Sequence, residues 1–187
     1  MIFRAVEDAD LIPKAQRGDV EAFNLLVSRW EKRVYNYLLR LLSNREDALD
    51  TSQDVFLKAY QNLRKLDDPR RFGAWLFRIA HNEAHSLFRK RKPESQEELP
   101  EAPAGQTTVF PLELSLAVSG ALDRLSQDQR EAVVLKIYQG FKFEEMAEIL
   151  SCPVSTLKSR LYTALDLLKT QLAPVAERGK RNEPWRE

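Results

Sequence analysis

The stretch Lys142 to Leu161, KFEEMAEILSCPVSTLKSRL, sets the reading of the whole chain. Its first part, Phe143 to Leu150, has apolar positions at helical spacing. Ser151-Cys152-Pro153 then makes a tight connection, and a second amphipathic helix runs from about Val154 to Leu172. A short helix, a brief turn and a longer helix is the helix-turn-helix plan. Ala147 is small where the two helices must cross closely, and Met146, Leu150, Leu157 and Leu161 supply the shared core. Ser155, Thr156, Lys158, Ser159 and Arg160 stand at the start of the second helix, the end that meets base edges and phosphates in a major groove. The same pattern also suits a helical hairpin that binds protein. Cys152 reads as a small buried apolar residue.

Upstream, Ser126-x-x-Gln129 is a capping box opening a helix that ends at Gly140, and another helix lies near Leu114 to Leu125. Before that the pattern breaks. Lys92 to Pro111, KPESQEELPEAPAGQTTVFP, holds four of the nine prolines and almost no bulky apolar residue, which is linker composition. Glu94, Glu97, Glu98 and Glu101 repel one another there, so an extended acidic tether is expected. The chain divides into a helical domain 1–92, a linker 93–113, a helical domain 114–173 and a tail 174–187. No alternating run bounded by turn residues makes a strand, so the fold class is all-α with two small helical domains.

In the front domain, Asp19 caps a helix with Ala22, Phe23, Leu26, Val27, Trp30, Val34, Leu38 and Leu41 on its core face. Asn44 caps a second, lined by Leu49, Ser52, Phe56, Ala59, Tyr60 and Leu63. Its opposite face carries Asp47, Asp50, Asp54, Lys58 and Gln61 with Leu57 among them. A leucine ringed by acids and amides is more than a solvated face requires. A third helix, after Asp68-Pro69, buries Phe72, Leu76, Ile79, Ala80 and Leu87 and runs into Arg89-Lys90-Arg91-Lys92. Its other face shows Arg78, His81, Asn82 and His85 beside Trp75, Phe77 and Phe88, the composition expected where phosphates are neutralised and bases stack. His81 and His85 stand at i, i+4, a spacing that can chelate a metal, but HNEAH places Glu83 in the middle, where neither zincin nor inverzincin chemistry uses it. No metal is expected on this ground.

Composition narrows the function classes. The six glycines among 187 residues are never within ten of one another, which excludes a Walker loop and a G-x-G-x-x-G turn. Cys152 stands alone, so no internal disulfide or thiolate zinc cage forms, and with no apolar leader or membrane-length run a cytoplasmic setting is expected. The net charge of +1 hides an asymmetry: residues 1–92 carry +5 and residues 93–114 carry −5. A basic front half suggests a polyanionic partner, and the acidic connector a segment that stays off it or imitates it.

Across about residues 8–173 the chain resembles the extracytoplasmic function group of sigma factors in the bacterial sigma-70 family. DALDTSQDVFLKAYQNL (Asp47 to Leu63) looks like region 2.2, FGAWLFRIAHNEAHSLFRKRK (Phe72 to Lys92) like regions 2.3 and 2.4, and KFEEMAEILSCPVSTLKSRL like region 4.2. The resemblance implies that Asp50, Gln53, Asp54, Leu57, Lys58 and Gln61 dock on core RNA polymerase. It implies that Arg71, Phe72, Trp75, Arg78, Asn82, Arg89, Lys90 and Arg91 recognise and open the −10 element of promoter DNA, an unstacked base entering a pocket made by the loop Leu66 to Gly73 and the following helix. It implies that Ser155, Thr156, Lys158, Ser159 and Arg160 read the −35 element. The linker stands where other sigma factors have a further domain. The chain differs from the usual pattern at Ser86, Ser155 and Tyr162 to Leu167, positions that bear on promoter sequence. The expected partners are core polymerase, promoter DNA and an anti-sigma factor, with no cofactor, no enzymatic activity and no membrane insertion. A conventional two-domain helix-turn-helix regulator is the alternative, distinguished by operator binding without polymerase.

Overall fold

A computed structural model of the protein describes residues 6–90 and 112–181, and every regular element among them is helical. The front half comprises α1 (Asp8–Gln16), α2 (Val20–Leu42), α3 (Arg45–Asn62) and α4 (Phe72–Lys90). Asp19 Oδ1 accepts from the Ala22 N–H and Asn44 Oδ1 from the Asp47 N–H, both at 3.0 Å, so α2 and α3 begin where a short acceptor replaces the missing intrahelical one. Two 3-10 turns, Leu63–Lys65 and Pro69–Arg71, join α3 to α4. Gln16 Nε2 donates to the carbonyls of Leu63 and Leu66 at 3.0 and 2.8 Å, fixing that loop against α1.

The core is built from Leu26, Val34 and Leu38 of α2, Val55 and Ala59 of α3, and Leu76, Phe77 and Ala80 of α4, all fully enclosed. Leu11 and Ile12 of α1 close one end. One expected face is turned. On α3 the buried residues are Ala48, Thr51, Ser52, Val55 and Ala59, whereas Leu49 and Tyr60 are 52% and 46% exposed. Small side chains let α3 approach α2 and α4 closely, and this packing outweighs the pull of two larger apolar groups.

The second half comprises α5 (Leu112–Asp123), α6 (Gln127–Val133), α7 (Phe143–Leu150) and α8 (Val154–Arg181), with a π-helical turn, Val134–Tyr138, continuing α6. The capping box at Ser126 forms as the sequence predicts: Ser126 Oγ accepts from the Gln129 N–H and Gln129 Oε1 from the Ser126 N–H. Ser151 takes a left-handed φ of 50° between α7 and α8. The backbone of α8 runs on through Arg181, so 174–181, expected as tail, is helical; Ala176 and the long charged residues Glu177, Arg178, Lys180 and Arg181 favour continuation past Pro174. Arg91, Lys92 and the acidic linker lie outside the described residues.

The halves pack together. The Phe77 ring lies 4.9 Å from that of Phe141, Arg33 donates to the Gln139 carbonyl at 2.9 Å, and Arg130 Nη1 donates to Ser43 Oγ at 3.0 Å. Leu135 and Phe141 of the second half thereby join the core of the first.

Candidate nucleic-acid interface

Asp50, Gln53, Asp54, Leu57, Lys58 and Gln61 are all exposed on α3, within an arc of about 140° at 100° per residue. Leu57 is 56% exposed, and Leu49 and Tyr60 extend its apolar surface along the helix. Lys58 pairs with Glu83 of α4 at 2.6 Å, which turns Glu83 toward α3 and away from the two histidines flanking it in sequence. The second half leaves this face open.

On the other side, the loop before α4 makes a cleft. Gly73 permits it: a Cβ there would lie 2.6 Å from the Trp30 ring, so only glycine lets the first turn of α4 approach α2. Asp68 accepts from the backbone and side chain of Arg70, which hold its carboxyl below the usual range. The cleft, about 210 Å³, is walled by Leu66, Asp68, Arg71, Trp75 and Arg78 and by Glu148 of α7. Arg71 grips Glu148 at 2.5 Å, and this carboxylate raises the guanidinium pKa. Trp75 is half-buried with its ring 5.9 Å from that of Phe72; Arg78, Asn82, Arg89 and Lys90 are exposed. Phe72 corrects the expectation. At 2% exposure it packs edge-on against Trp30, the core place that its helical spacing predicts, and offers no surface to the cleft that the resemblance assigns it to. Arg91 lies outside the described residues.

The histidines expected on the DNA side of α4 turn to the second half. His81 Nδ1 lies 2.8 Å from Glu131 Oε1 and His85 Nε2 3.2 Å from Glu131 Oε2; the Tyr37 hydroxyl donates to Oε1. Glu131 is 2% exposed. Burial pushes its carboxyl up, but the hydrogen bonds from His81 and His85, the charge of His81 and the Tyr37 hydroxyl together outweigh this and hold it at about 2 against the usual 4.5. The depressed value gives stability that is complete above 4.5 and lost as pH falls toward 2. Thermal melts stepped through that window should therefore show a steeper loss for the wild type than for Glu131→Gln; parallel curves would contradict the coupling.

In the helix-turn-helix, Met146, Ile149, Leu157 and Leu161 are buried between α7 and α8. Leu150 is only half-buried, Ile149 taking the central place expected of it. Ser155, Lys158 and Ser159 are exposed, Thr156 is half-buried, and Arg160 is engaged internally, pairing with Asp128 at 2.6 Å above Cys152. Cys152 is half-buried, and burial raises its thiol pKa.

The helical body thus carries an exposed face of acids and amides around Leu57, a cleft of mixed charge with Trp75, Arg71 and Arg78 in its wall, and a helix-turn-helix packed against it, the surfaces of a protein that meets other macromolecules. The family model for Sigma-70 region 2 matches residues 26–94, and that for Sigma-70, region 4 matches residues 115–168. The chain is similar to the ECF RNA polymerase sigma-E factor of Escherichia coli K12, 31% identical over 186 residues that cover 91% of this chain and 97% of that protein. It is also similar to the RNA polymerase sigma-H factor of Pseudomonas aeruginosa, 29% identical and covering 90% and 95%. Among solved structures it resembles CnrH in complex with the cytosolic domain of CnrY (TM-score 0.69, 28% identity, 89% and 97% covered). It likewise resembles the sigma factor RpoE in complex with the anti-sigma factor NepR from Bartonella quintana (TM-score 0.71, 29% identity, 81% and 96% covered). The protein belongs to the sigma-70 family and, within it, to the extracytoplasmic function group. It is a transcription initiation factor that directs core RNA polymerase to promoters. No helix among the described residues is long and apolar enough to cross a membrane.

Proposed function

We propose that the exposed α3 face docks on core polymerase, that the α4 cleft receives an unstacked base of the −10 element, and that the start of α8 reads the −35 element. The observation that carries this is the cleft itself: an indole wall, flanking guanidinium groups and a volume suited to one nucleobase. Arg78, Arg89 and Lys90 neutralise phosphates beside it, and Asn82 reads a pairing edge. The reaction belongs to the polymerase, so no residue of this chain is catalytic, and the protein works in the cytoplasm with that enzyme.

In the closed arrangement Glu148 occupies Arg71 where a phosphate would sit, and Asp128 does the same for Arg160. The second half therefore moves off α4 before the cleft takes DNA. The anti-sigma factor NepR holds the related RpoE of Bartonella quintana, and a partner of that kind is the natural stabiliser of a form that withholds the cleft.

The test is promoter opening with reconstituted polymerase, followed by thymine reactivity in the −10 element. Trp75→Ala removes one stacking wall worth about 1–3 kcal/mol, so opening is expected to fall by about 5- to 150-fold with core affinity unchanged. Asn82→Ala is expected to relax base preference at one −10 position. Normal opening by both variants would remove the cleft from the reaction.

A further inference from the structure

His81 and His85 are consecutive on one face of α4, and Glu131 reaches them from α6, fifty residues on and in the other half of the molecule. The facing ligand atoms of all three lie within 4.8 Å of one another. We propose that these residues form a binding site for a divalent transition-metal ion of the zinc type, which clamps the second half of the molecule over α4.

Two imidazoles and one carboxylate are a donor set that suits zinc and its neighbours. A tetrahedral ion with ligands at about 2.0–2.1 Å places their atoms about 3.3 Å apart. The two glutamate–histidine separations, 2.8 Å from His81 to Oε1 and 3.2 Å from His85 to Oε2, both fall short of this value and involve different carboxylate oxygens, so one ion needs an opening of about half an ångström at His81 and a small turn of the carboxylate. The site is also built to hold its carboxylate. The Tyr37 hydroxyl fixes Glu131 from behind, the part an outer hydrogen bond plays in a metal centre.

Charge supplies the next reason. Glu131 is enclosed, and among the described residues its ion pairs are with the two histidines alone, with no lysine or arginine. A buried carboxylate needs a cation close by. His85 Nε2 moreover stands between Glu131 Oε2 and Gln127 Nε2, the latter 3.4 Å away. One imidazole nitrogen cannot donate to the carboxylate and accept from the amide at once. Turning the Gln127 amide removes that conflict, and a metal ion at the centre supplies the cation: the imidazoles bind through lone pairs, their protons leave to solvent, and the turned Gln127 offers an oxygen to the fourth position. With ligands from both halves, the ion is a structural clamp. It fastens the arrangement in which Glu148 blocks Arg71.

The test uses the full chain, stripped of metal with a chelator and titrated with zinc chloride alone by calorimetry at neutral pH, with cobalt absorption as a check of geometry. One ion per chain is expected, weakened by about 10- to 100-fold or more in His85→Gln and in Glu131→Gln. Bound zinc should also slow amide exchange in both α4 and α6. His85 is half-exposed, so His85→Gln keeps the fold, and circular dichroism verifies both variants. Absence of binding overturns the proposal. So does unchanged affinity in Glu131→Gln, which would leave only a surface histidine pair. Equal protection of α4 and α6 produced by mild acid in the presence of chelator, with none from zinc, would show that protons are the cation and overturn it as well. Zinc titration reads the site and not transcription, so its failure leaves the promoter roles of α3, α4 and α8 standing.

Discussion

A chain carrying Asp54→Arg and Leu57→Ala is expected to bind core RNA polymerase about 30-fold or more weakly, while its melting temperature stays nearly unchanged. Leu57 is 56% exposed with Asp50, Gln53 and Asp54 around it, the arrangement of an apolar anchor inside a polar rim. Truncating an anchor and reversing an adjacent charge costs an interface about 2 kcal/mol or more, whereas exposed substitutions shift folding by about 0.5 kcal/mol or less. Titration of labelled protein with core polymerase measures the first quantity and a thermal melt the second. Unaltered affinity would remove α3 from the interface.

The largest effect on stability is expected at Phe77. Its side chain is wholly enclosed, with ring centroids of Tyr37 at 5.1 Å, Trp30 at 6.3 Å and Phe141 at 4.9 Å. Phe77→Ala leaves a cavity walled by rigid rings that cannot collapse into it, so unfolding in urea should show a loss of about 3–5 kcal/mol. Because Phe141 belongs to the second half, the same change should loosen the junction and speed amide exchange at α7. A loss of less than about 1 kcal/mol would mean that the junction refills the space.

Local chemistry made much of the fold readable in advance. Asp19, Asn44 and Ser126 cap helices because a short side-chain oxygen satisfies the nearest free N–H, which depends on three or four residues. The bounds of α7 follow from its spacing and from the turn at Ser151 for the same reason. What was not readable depends on distant partners. Phe77 reads as a base-stacking aromatic beside Arg78, yet Trp30 and Tyr37 from another helix and Phe141 from the second half enclose it. Leu49 and Tyr60 looked like core residues, but α3 packs through alanine, serine and threonine. Glu131 drew no attention as one acid in a mixed-charge helix. Its importance arises only when Tyr37, His81 and His85 converge on it from the other half.

The two faces of the front half that we propose for polymerase and DNA differ in access, and on those roles the difference sets an order of events. The α3 face is open while α7 covers the α4 cleft, so a ligand for α3 meets every molecule in solution and a ligand for the cleft meets only the parted fraction. The apparent affinity for core polymerase thus carries no conformational penalty. That for DNA is reduced in proportion to the parted population, tenfold for every 1.4 kcal/mol or so that favours closure. Both halves belong to one polypeptide, so dilution does not separate them. On those roles polymerase recruitment comes first, and whatever shifts the closed population by a hydrogen bond or two, worth about 1–3 kcal/mol, moves the apparent DNA affinity by about 5- to 150-fold without altering a single DNA contact.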